Sequence, residues 1–383
     1  MINVGIVTST RAEYGLLRPV YLELQKHKCV KVKLIASGTH LSEKYGYTIK
    51  DIVKDGIKVD KKLFIIDDDK KNESMAEVFS KAISEFDKYL KRNSFDTIVL
   101  LGDRYETLAF ATACMFNKVP ITHLHGGETT EGVIDEAIRH SITKMSYLHF
   151  TSCEEHRKRV IQLGENPSRV YNVGSIGVEN ILKIDFLSKA ELSSDIEFNL
   201  DKYFVVTYHP VTLSVNSSNE EFKNLLKVLE KYKDFQVIFT KSNADAESFR
   251  INKMIDSYVL KHKNAKAFYS LGTRRYLSLI KYSSAVIGNS SSGIIEAPAM
   301  LVPTVNIGDR QKGRIRAKSV LDCDGTYNSI SRAIKKALIT NCKFGVEDIP
   351  FYKKNTSKRI ADTIIRVFNK KVDLMKKFYD LKV

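Results

Sequence analysis

Short runs of aliphatic and β-branched residues recur along this chain, and most are followed by a stretch whose apolar residues return every three or four positions. In the first half the runs are Ile2–Val7, Val30–Ala36, Thr97–Leu101, Ile121–Leu124 and Val170–Val173. In the second half they are Tyr203–Thr207, Gln236–Phe239, Ala265–Phe268, Ala285–Ile287 and Pro303–Gly308. Continuous apolar runs of this kind suit strands covered on both faces, as in a parallel sheet, and the periodic stretches between them, such as Glu220–Tyr232 and Thr273–Tyr282, suit the covering helices. The polar, weakly periodic segment Asp185–Asn199 separates two such blocks. The pattern predicts an α/β protein of two Rossmann-like, doubly wound domains with an interdomain cleft, over residues 1–183 and 200–356, with 357–383 as a terminal helix docked on the protein.

In an open parallel sheet the carboxyl ends of the strands face the ligand crevice, so the residues that close each run are the candidates for chemistry. Thr97–Leu101 stops at Gly102-Asp103-Arg104, and Ile121–Leu124 delivers His123, His125 and Glu128 around Gly126-Gly127. From Val133 onward Ile134, Ile138, Ile142 and Met145 form an apolar stripe at helical spacing, while Glu136, Arg139, His140 and Thr143 share another face. The plain structural reading of Asp135 and Glu136 is a pair of acids near a helix start, where the macrodipole favours them.

Arg11 follows the first strand beside a helix N-terminus, where free amides and a guanidinium suit a diphosphate. No Walker loop or GxGxxG motif accompanies it, so neither ATP nor a dinucleotide is implied. Val30–Ala36 ends at Ser37-Gly38-Thr39-His40, where His40 is either a site residue or a packing histidine. Tyr203–Thr207 ends at Tyr208-His209-Pro210, and Gln236–Phe239 at Thr240-Lys241-Ser242-Asn243. Ala285–Ile287 runs into Gly288-Asn289-Ser290-Ser291-Ser292-Gly293, small residues that let backbone amides approach a phosphate. Glu296, in the first turn of the helix expected at Ile294-Ile295-Glu296-Ala297, is placed to accept ribose hydroxyls, and Arg310 is a further phosphate partner.

The formal net charge of +16 suits anionic partners. The lysines are scattered along helical faces, however, and no arginine-rich block with interleaved aromatics occurs, so a solvated surface is expected rather than a nucleic-acid or membrane interface. The start of the chain lacks a signal-peptide layout, no run is long enough to span a bilayer, and the cysteines Cys29, Cys114, Cys153, Cys323 and Cys342 form no CxxC pair. A cytoplasmic protein without disulfides or structural zinc is expected.

Taken together, Arg11-Ala12-Glu13-Tyr14, Ser37-Gly38-Thr39-His40, Gly102-Asp103-Arg104, His125-Gly126-Gly127-Glu128, Asp135-Glu136-Ala137-Ile138-Arg139-His140, Gly288 to Glu296 and Gly308-Asp309-Arg310 resemble the hydrolysing UDP-N-acetylglucosamine 2-epimerases of sialic and legionaminic acid biosynthesis. The resemblance implies the GT-B architecture and release of UDP and free N-acetylmannosamine through a 2-acetamidoglucal. It implies Asp103 and Glu136 as the acid and base pair, with His125 and Glu128 beside them and Arg139 or His140 setting charge and orientation. Arg11, Arg104, His209, Ser290, Ser291 and Arg310 then resemble the diphosphate contacts, and Glu296 the ribose contact.

The resemblance also implies a UDP-sugar as partner, a homo-oligomer (dimer or tetramer), and no metal or redox cofactor. Several relatives carry glutamate at the position of His125, which leaves open which group removes the C2 proton. A related branch acts on UDP-2,4-diacetamido-2,4,6-trideoxyglucose and shares these motifs. A GT-B glycosyltransferase using a UDP-sugar, and a polyanion-binding protein, are the readings from other classes.

Overall fold

The structure is a computed structural model that describes residues 1–70, 73–130, 134–210, 215–241, 246–269, 271–340 and 345–381. Val133, Ser242, Asn243, Cys342 and Val383 lie outside the described residues. The chain forms two compact units, one of Met1–Glu179 with Lys353–Val383 and one of Asn180–Tyr352.

The first unit is built on β1 (Ile2–Thr8), β2 (Val30–Ser37), β3 (Val59–Leu63), β4 (Thr97–Leu101), β5 (Ile121–Leu124), β6 (Leu148–Thr151) and β7 (Val170–Asn172). They form one parallel sheet in the order β3-β2-β1-β4-β5-β6-β7. Its helices are α1 (Arg11–Gln25), α2 (Ile49–Lys54), α3 (Met75–Leu90), α4 (Tyr105–Phe116), α5 (Ile134–Met145), α6 (Glu154–Gln162) and α7 (Ile176–Leu182). All five residues of β4 are buried, as the unbroken apolar run requires, because helices cover both faces. Leu17, Val20 and Leu24 of α1 pack on one face with Ile360 and Ile364 from the C-terminal helix. Phe86, Phe110 and Ile142 fill the other.

The second unit repeats the plan with β8 (Tyr203–Thr207), β9 (Gln236–Thr240), β10 (Ala265–Phe268), β11 (Ala285–Gly288), β12 (Thr304–Ile307) and β13 (Val320–Cys323), all parallel in the order β10-β9-β8-β11-β12-β13. The helices are α8 (Lys189–Asp195), α9 (Val215–Leu229), α10 (Ala246–Lys261), α11 (Gly272–Lys281), α12 (Glu296–Ala299) and α13 (Tyr327–Thr340). In both sheets the order reverses between two central strands, β1/β4 and β8/β11. These are topological switch points, where diverging connections leave a crevice at the carboxyl ends.

Three expectations need correcting. The segment 185–199 contains α8, whose start is fixed by a capping box between Ser188 and Glu191, so part of the expected linker is a helix. The C-terminal helix α14 (Thr356–Phe368) belongs to the first unit and stops well short of residue 383. Past Phe368 the chain makes irregular contacts: Lys376 Nζ donates to both carboxylate oxygens of Glu165 at 2.9 Å, and the Tyr379 amide donates to the Gly164 carbonyl at 3.0 Å. The helix expected at residue 294 is a 3₁₀ turn, Ser291–Gly293, followed by the four-residue α12 with Pro298 inside it. Proline has no amide to continue a longer helical ladder.

Candidate active site

Two glycines and one strained residue shape the loop after β5. Gly127 has φ +79°, and a Cβ there would overlap the His156 carbonyl of α6. A Cβ at Gly126 would sit 3.0 Å from His123 Nδ1 and 3.1 Å from Thr143 Oγ1. His125 adopts φ +65°, an uncommon conformation for a residue with a side chain. The loop therefore turns tightly onto α6 and is tied down by a 2.9 Å hydrogen bond from the His125 amide to the Phe150 carbonyl.

Arg139 joins the loops to helix α5. Its Nε donates to Asp103 Oδ2 at 2.9 Å, its Nη1 to Glu136 Oε2 at 2.6 Å and to the Glu128 carbonyl at 2.8 Å, and its Nη2 to Thr130 Oγ1 at 3.0 Å. The guanidinium side chain is 3% exposed, whereas Asp103 and Glu136 are 29% and 27% exposed. A buried cation thus holds two carboxylates whose edges still reach solvent. Burial pushes the Glu136 carboxyl upward, but the Thr130 amide, His140 and Arg139 outweigh it and hold the group below its ordinary range. Its Oε1 lies 3.1 Å from His140 Nε2.

A second group flanks this one. His125 Nδ1 is 3.4 Å from Glu128 Oε1, which also accepts from Ser152 Oγ at 3.1 Å. His125 Nε2 is buried without a hydrogen-bond partner among the described residues. His123 is a different kind of histidine: fully buried, its Nε2 2.8 Å from the Gly102 carbonyl, and pushed down to about 3 by burial. Such a ring stays neutral and braces β4 against β5.

The expected binding residues of this unit fare differently. Arg11, 77% exposed, pairs with Asp51 at 3.3 Å. Arg104 heads α4 and gives its Nε to Glu106 Oε1 at 2.5 Å. His40 is 0% exposed, with Nε2 3.0 Å from Thr8 Oγ1 and Nδ1 2.8 Å from Thr48 Oγ1, and burial pushes it down to about 4. In this state it is a neutral packing group beneath the strand ends.

In the second unit the ends of β8 and β11 are locked together by Asn289, whose Oδ1 accepts from the His209 amide and whose Nδ2 donates to the His209 carbonyl, both at 2.7 Å. Gly288, at φ +135°, has no room for a Cβ, which would overlap the Thr207 carbonyl. Ser290 Oγ accepts from the Ser292 amide at 3.3 Å and starts the 3₁₀ turn. The Asn289 carbonyl accepts from Arg310 Nη1 at 3.0 Å and Gln311 Nε2 at 2.8 Å, which brings Arg310 to the serine turn. Glu296 is raised by burial, and its Oε2 is buried with no hydrogen-bond partner among the described residues. A buried acceptor without a donor is costly, and a ligand hydroxyl would satisfy it.

His209, Ser290, Ser291, Glu296 and Arg310 thus gather at the β8/β11 end of one unit, and Asp103, Arg104, His125, Glu128, Glu136, Arg139 and His140 at the sheet end of the other. The sequence reading did not single out Thr130, Ser152, Asn289 or Gln311, whose roles arise through hydrogen bonds made only in the folded chain. It also gave no role to Glu13 or Glu106. Among the described residues no cluster of three or more His, Cys, Asp or Glu side chains could hold a metal, and no helix is long and apolar enough to cross a membrane.

Residues 22–365 match the UDP-N-acetylglucosamine 2-epimerase family. The chain is 44% identical over 338 residues to the GDP/UDP-N,N'-diacetylbacillosamine 2-epimerase (hydrolyzing) of Campylobacter jejuni, covering 87% of each chain. It is 39% identical over 387 residues to the polysialic acid biosynthesis protein P7 of Escherichia coli, covering 100% of this chain and 98% of that one. Its fold matches the crystal structure of the UDP-GlcNAc 2-epimerase from Neisseria meningitidis bound to UDP-GlcNAc with a TM-score of 0.78 at 21% identity, over 95% of this chain and 100% of that one.

Proposed function

The chain belongs to the UDP-N-acetylglucosamine 2-epimerase family, and from that premise we propose that it is a hydrolysing 2-epimerase, which releases UDP and the C2-inverted free sugar from a UDP-activated 2-acetamido sugar. With UDP-N-acetylglucosamine the products are UDP and N-acetylmannosamine, a precursor for sialic acid biosynthesis. The observation that carries the reading is the Arg139 fork, which fixes Asp103 and Glu136 side by side while leaving both carboxylates an open edge.

The chemistry asks for a base, an acid and a clamp for the leaving group. Cleavage of the C1–O bond sends its electron pair to the β-phosphate of UDP and leaves an oxocarbenium-like C1. Loss of the C2 proton to a carboxylate then forms the C1=C2 bond of the glucal. Water adds with its oxygen at C1 and a proton delivered to the opposite face of C2. Glu136, held ionised by Arg139, His140 and the Thr130 amide, suits the base, and Asp103 suits the returning proton. His125 and Glu128, 3.4 Å apart, offer a second proton-transfer pair next to them. For the departing diphosphate, the second unit offers His209, Arg310 and the amides of Ser290 and Ser291, with Glu296 to accept ribose hydroxyls, and the first unit offers Arg11 and Arg104. None of these steps calls for a metal or redox cofactor.

The likeness to the C. jejuni diacetylbacillosamine enzyme favours a second reading of the sugar, UDP-2,4-diacetamido-2,4,6-trideoxyglucose on the legionaminic acid route. The same acids and the same clamp would serve, since the two sugars differ at C4 and C6 and not at C1 and C2. A UDP-sugar glycosyltransferase would use the same clamp but transfer the sugar intact.

Proton NMR in deuterated water tests both points. Each UDP-sugar is incubated with the protein, and the free product is examined for deuterium at C2. Rapid release of N-acetylmannosamine deuterated at C2 is the expected result. Preference for the diacetamido sugar would assign the second reading, and release of a free sugar that keeps its C2 proton would overturn the mechanism.

A further inference from the structure

Arg104 stands between two buried carboxylates at the β1/β4 switch point, and it can satisfy only one of them through its Nε. Glu106 has it, at 2.5 Å. Glu13, reaching in from α1, is 3.9 Å from the same atom, too far for a hydrogen bond. Glu13 is 7% exposed and Glu106 2%, and Glu13 Oε1 and Glu106 Oε2 are both buried with no hydrogen-bond partner among the described residues. The other Glu13 oxygen accepts from the amides of Ser9 at 2.7 Å and Thr10 at 3.1 Å, as part of the Thr10–Glu13 capping box. The Nη1 and Nη2 groups of Arg104 make no hydrogen bond among the described residues, and the side chain is 43% exposed.

One guanidinium cannot neutralise two enclosed carboxylates, so the second favours keeping a proton. We infer that Glu106 and Glu13 are positioning residues for Arg104: Glu106 fixes the Nε edge so that the Nη edge faces a diphosphate, and Glu13 is protonated when that diphosphate is bound. This rests on the reading of Arg104 as a diphosphate contact. A diphosphate adds negative charge to a site that already holds Glu106, so an ionised Glu13 opposes binding and a neutral one does not.

Burial is the main cause that lifts the Glu13 carboxyl to about 7, with Glu106 adding to it and the Ser9 amide and Arg104 working against it. Binding is therefore strongest below pH 7 and weakens as the pH rises through and above it. His40, behind β1, stays neutral above about pH 4, and Arg11 points outward to Asp51 on α2. Tyr105, next to Arg104, is raised above its ordinary value by burial.

The test measures UDP affinity by calorimetry between pH 6 and 9 for the wild type, Glu13→Gln, Glu106→Gln and Arg104→Gln. UDP titrates too, so the comparison is between profiles, in which that contribution cancels. The wild type is expected to lose about tenfold relative to Glu13→Gln across the range, and to take up a proton on binding at pH 8 that the variant does not. In Glu106→Gln the step moves to lower pH, because Glu13 then has Arg104 to itself. Profiles of the wild type and Glu13→Gln that superimpose, with equal proton uptake, would overturn the inference while Arg104→Gln still weakened UDP. Unchanged UDP affinity in Arg104→Gln would instead remove the diphosphate contact on which it rests.

Discussion

Arg139 Nε lies 2.9 Å from Asp103 Oδ2, so a side chain from the middle of α5 closes on the residue two positions past the end of β4. The two are 36 positions apart, and the bond is what makes Asp103 and Glu136 neighbours. A lysine at position 139 would keep the charge but lack the planar fork that reaches two carboxylates, the Glu128 carbonyl and Thr130 together.

Arg139→Lys is accordingly expected to lower kcat by about a hundredfold or more while leaving UDP affinity within about threefold, since misplacing catalytic groups by an ångström has that order of effect. Steady-state kinetics alongside UDP calorimetry checks it. A variant with near-normal kcat would remove Arg139 as the organiser of the pair.

Asp103→Asn and Glu136→Gln preserve shape and remove a proton-transfer group. Each is expected to reduce turnover by about 10²–10⁴ with UDP binding nearly intact. Substrate incubated in deuterated water separates their roles: Glu136→Gln should also halt deuterium entry at C2, and continued entry at the wild-type rate would reassign the base to the His125 and Glu128 pair.

Arg310→Ala should weaken UDP before it touches catalysis. Loss of a charge-assisted contact to phosphate corresponds to about 1.5–3 kcal/mol, or roughly ten- to a hundredfold in Kd. Glu296→Gln, with an amide in place of the carboxylate that accepts ribose hydroxyls, should lose affinity for UDP but less for inorganic pyrophosphate. Equal losses for both probes would place Glu296 away from the ribose.

Gly288→Ala and Gly272→Ala form a matched pair. Both positions have positive φ, but a Cβ at 288 overlaps the Thr207 carbonyl, whereas one at 272 meets nothing within 4 Å. Gly272→Ala is expected to lower stability by about 1 kcal/mol, and Gly288→Ala by clearly more than the roughly 1–3 kcal/mol of backbone strain alone. Urea unfolding followed in the second unit measures the difference, and equal losses would argue against close packing of β8 on β11.

His40 gives a pH signature of the first unit. Its folded-state value, about 4, is below the ordinary 6.5, so the unfolded chain takes up the proton first. The contribution of neutral His40 is fully present above pH 6.5 and is lost as the pH falls from there to about 4, up to about 3 kcal/mol. Unfolding of the wild type and His40→Gln across pH 4–7 should show a shallower loss in the variant. Parallel curves would contradict it.

Much of the architecture was legible in the chain because it rests on local pattern. Mostly apolar runs gave β1, β4, β5 and β8 to within a residue or so, since a strand covered on both faces favours apolar side chains along its length, and β2 was legible from its apolar second half although Lys31 and Lys33 interrupt the first. Polar residues at the run ends marked Asp103, His125, Ser290 and Arg310 for the same reason, because the carboxyl ends are where the helices stop covering the sheet. The strands β3 and β13 escaped, as VDKKL and VLDC mix charge into edges that one face leaves open. The tail past Phe368 escaped too: Phe378 meets Gly164 and the Lys144 ammonium while Met375 and Leu381 stay exposed, so its apolar residues follow no helical period.

Composition and spacing could say that Asp103, Glu128, Glu136, His40, His123 and His125 sit near strand or helix ends. They could not say that His123 and His40 are enclosed and neutral, that Arg139 bridges two acids, or that Glu13 and Glu106 compete for one guanidinium. Those states depend on which atoms are excluded from water and which donor reaches which acceptor, and residues 36 or 91 positions apart in the chain set both. Periodicity is written along the sequence, whereas desolvation and hydrogen-bond partners exist only once the strands have been laid side by side.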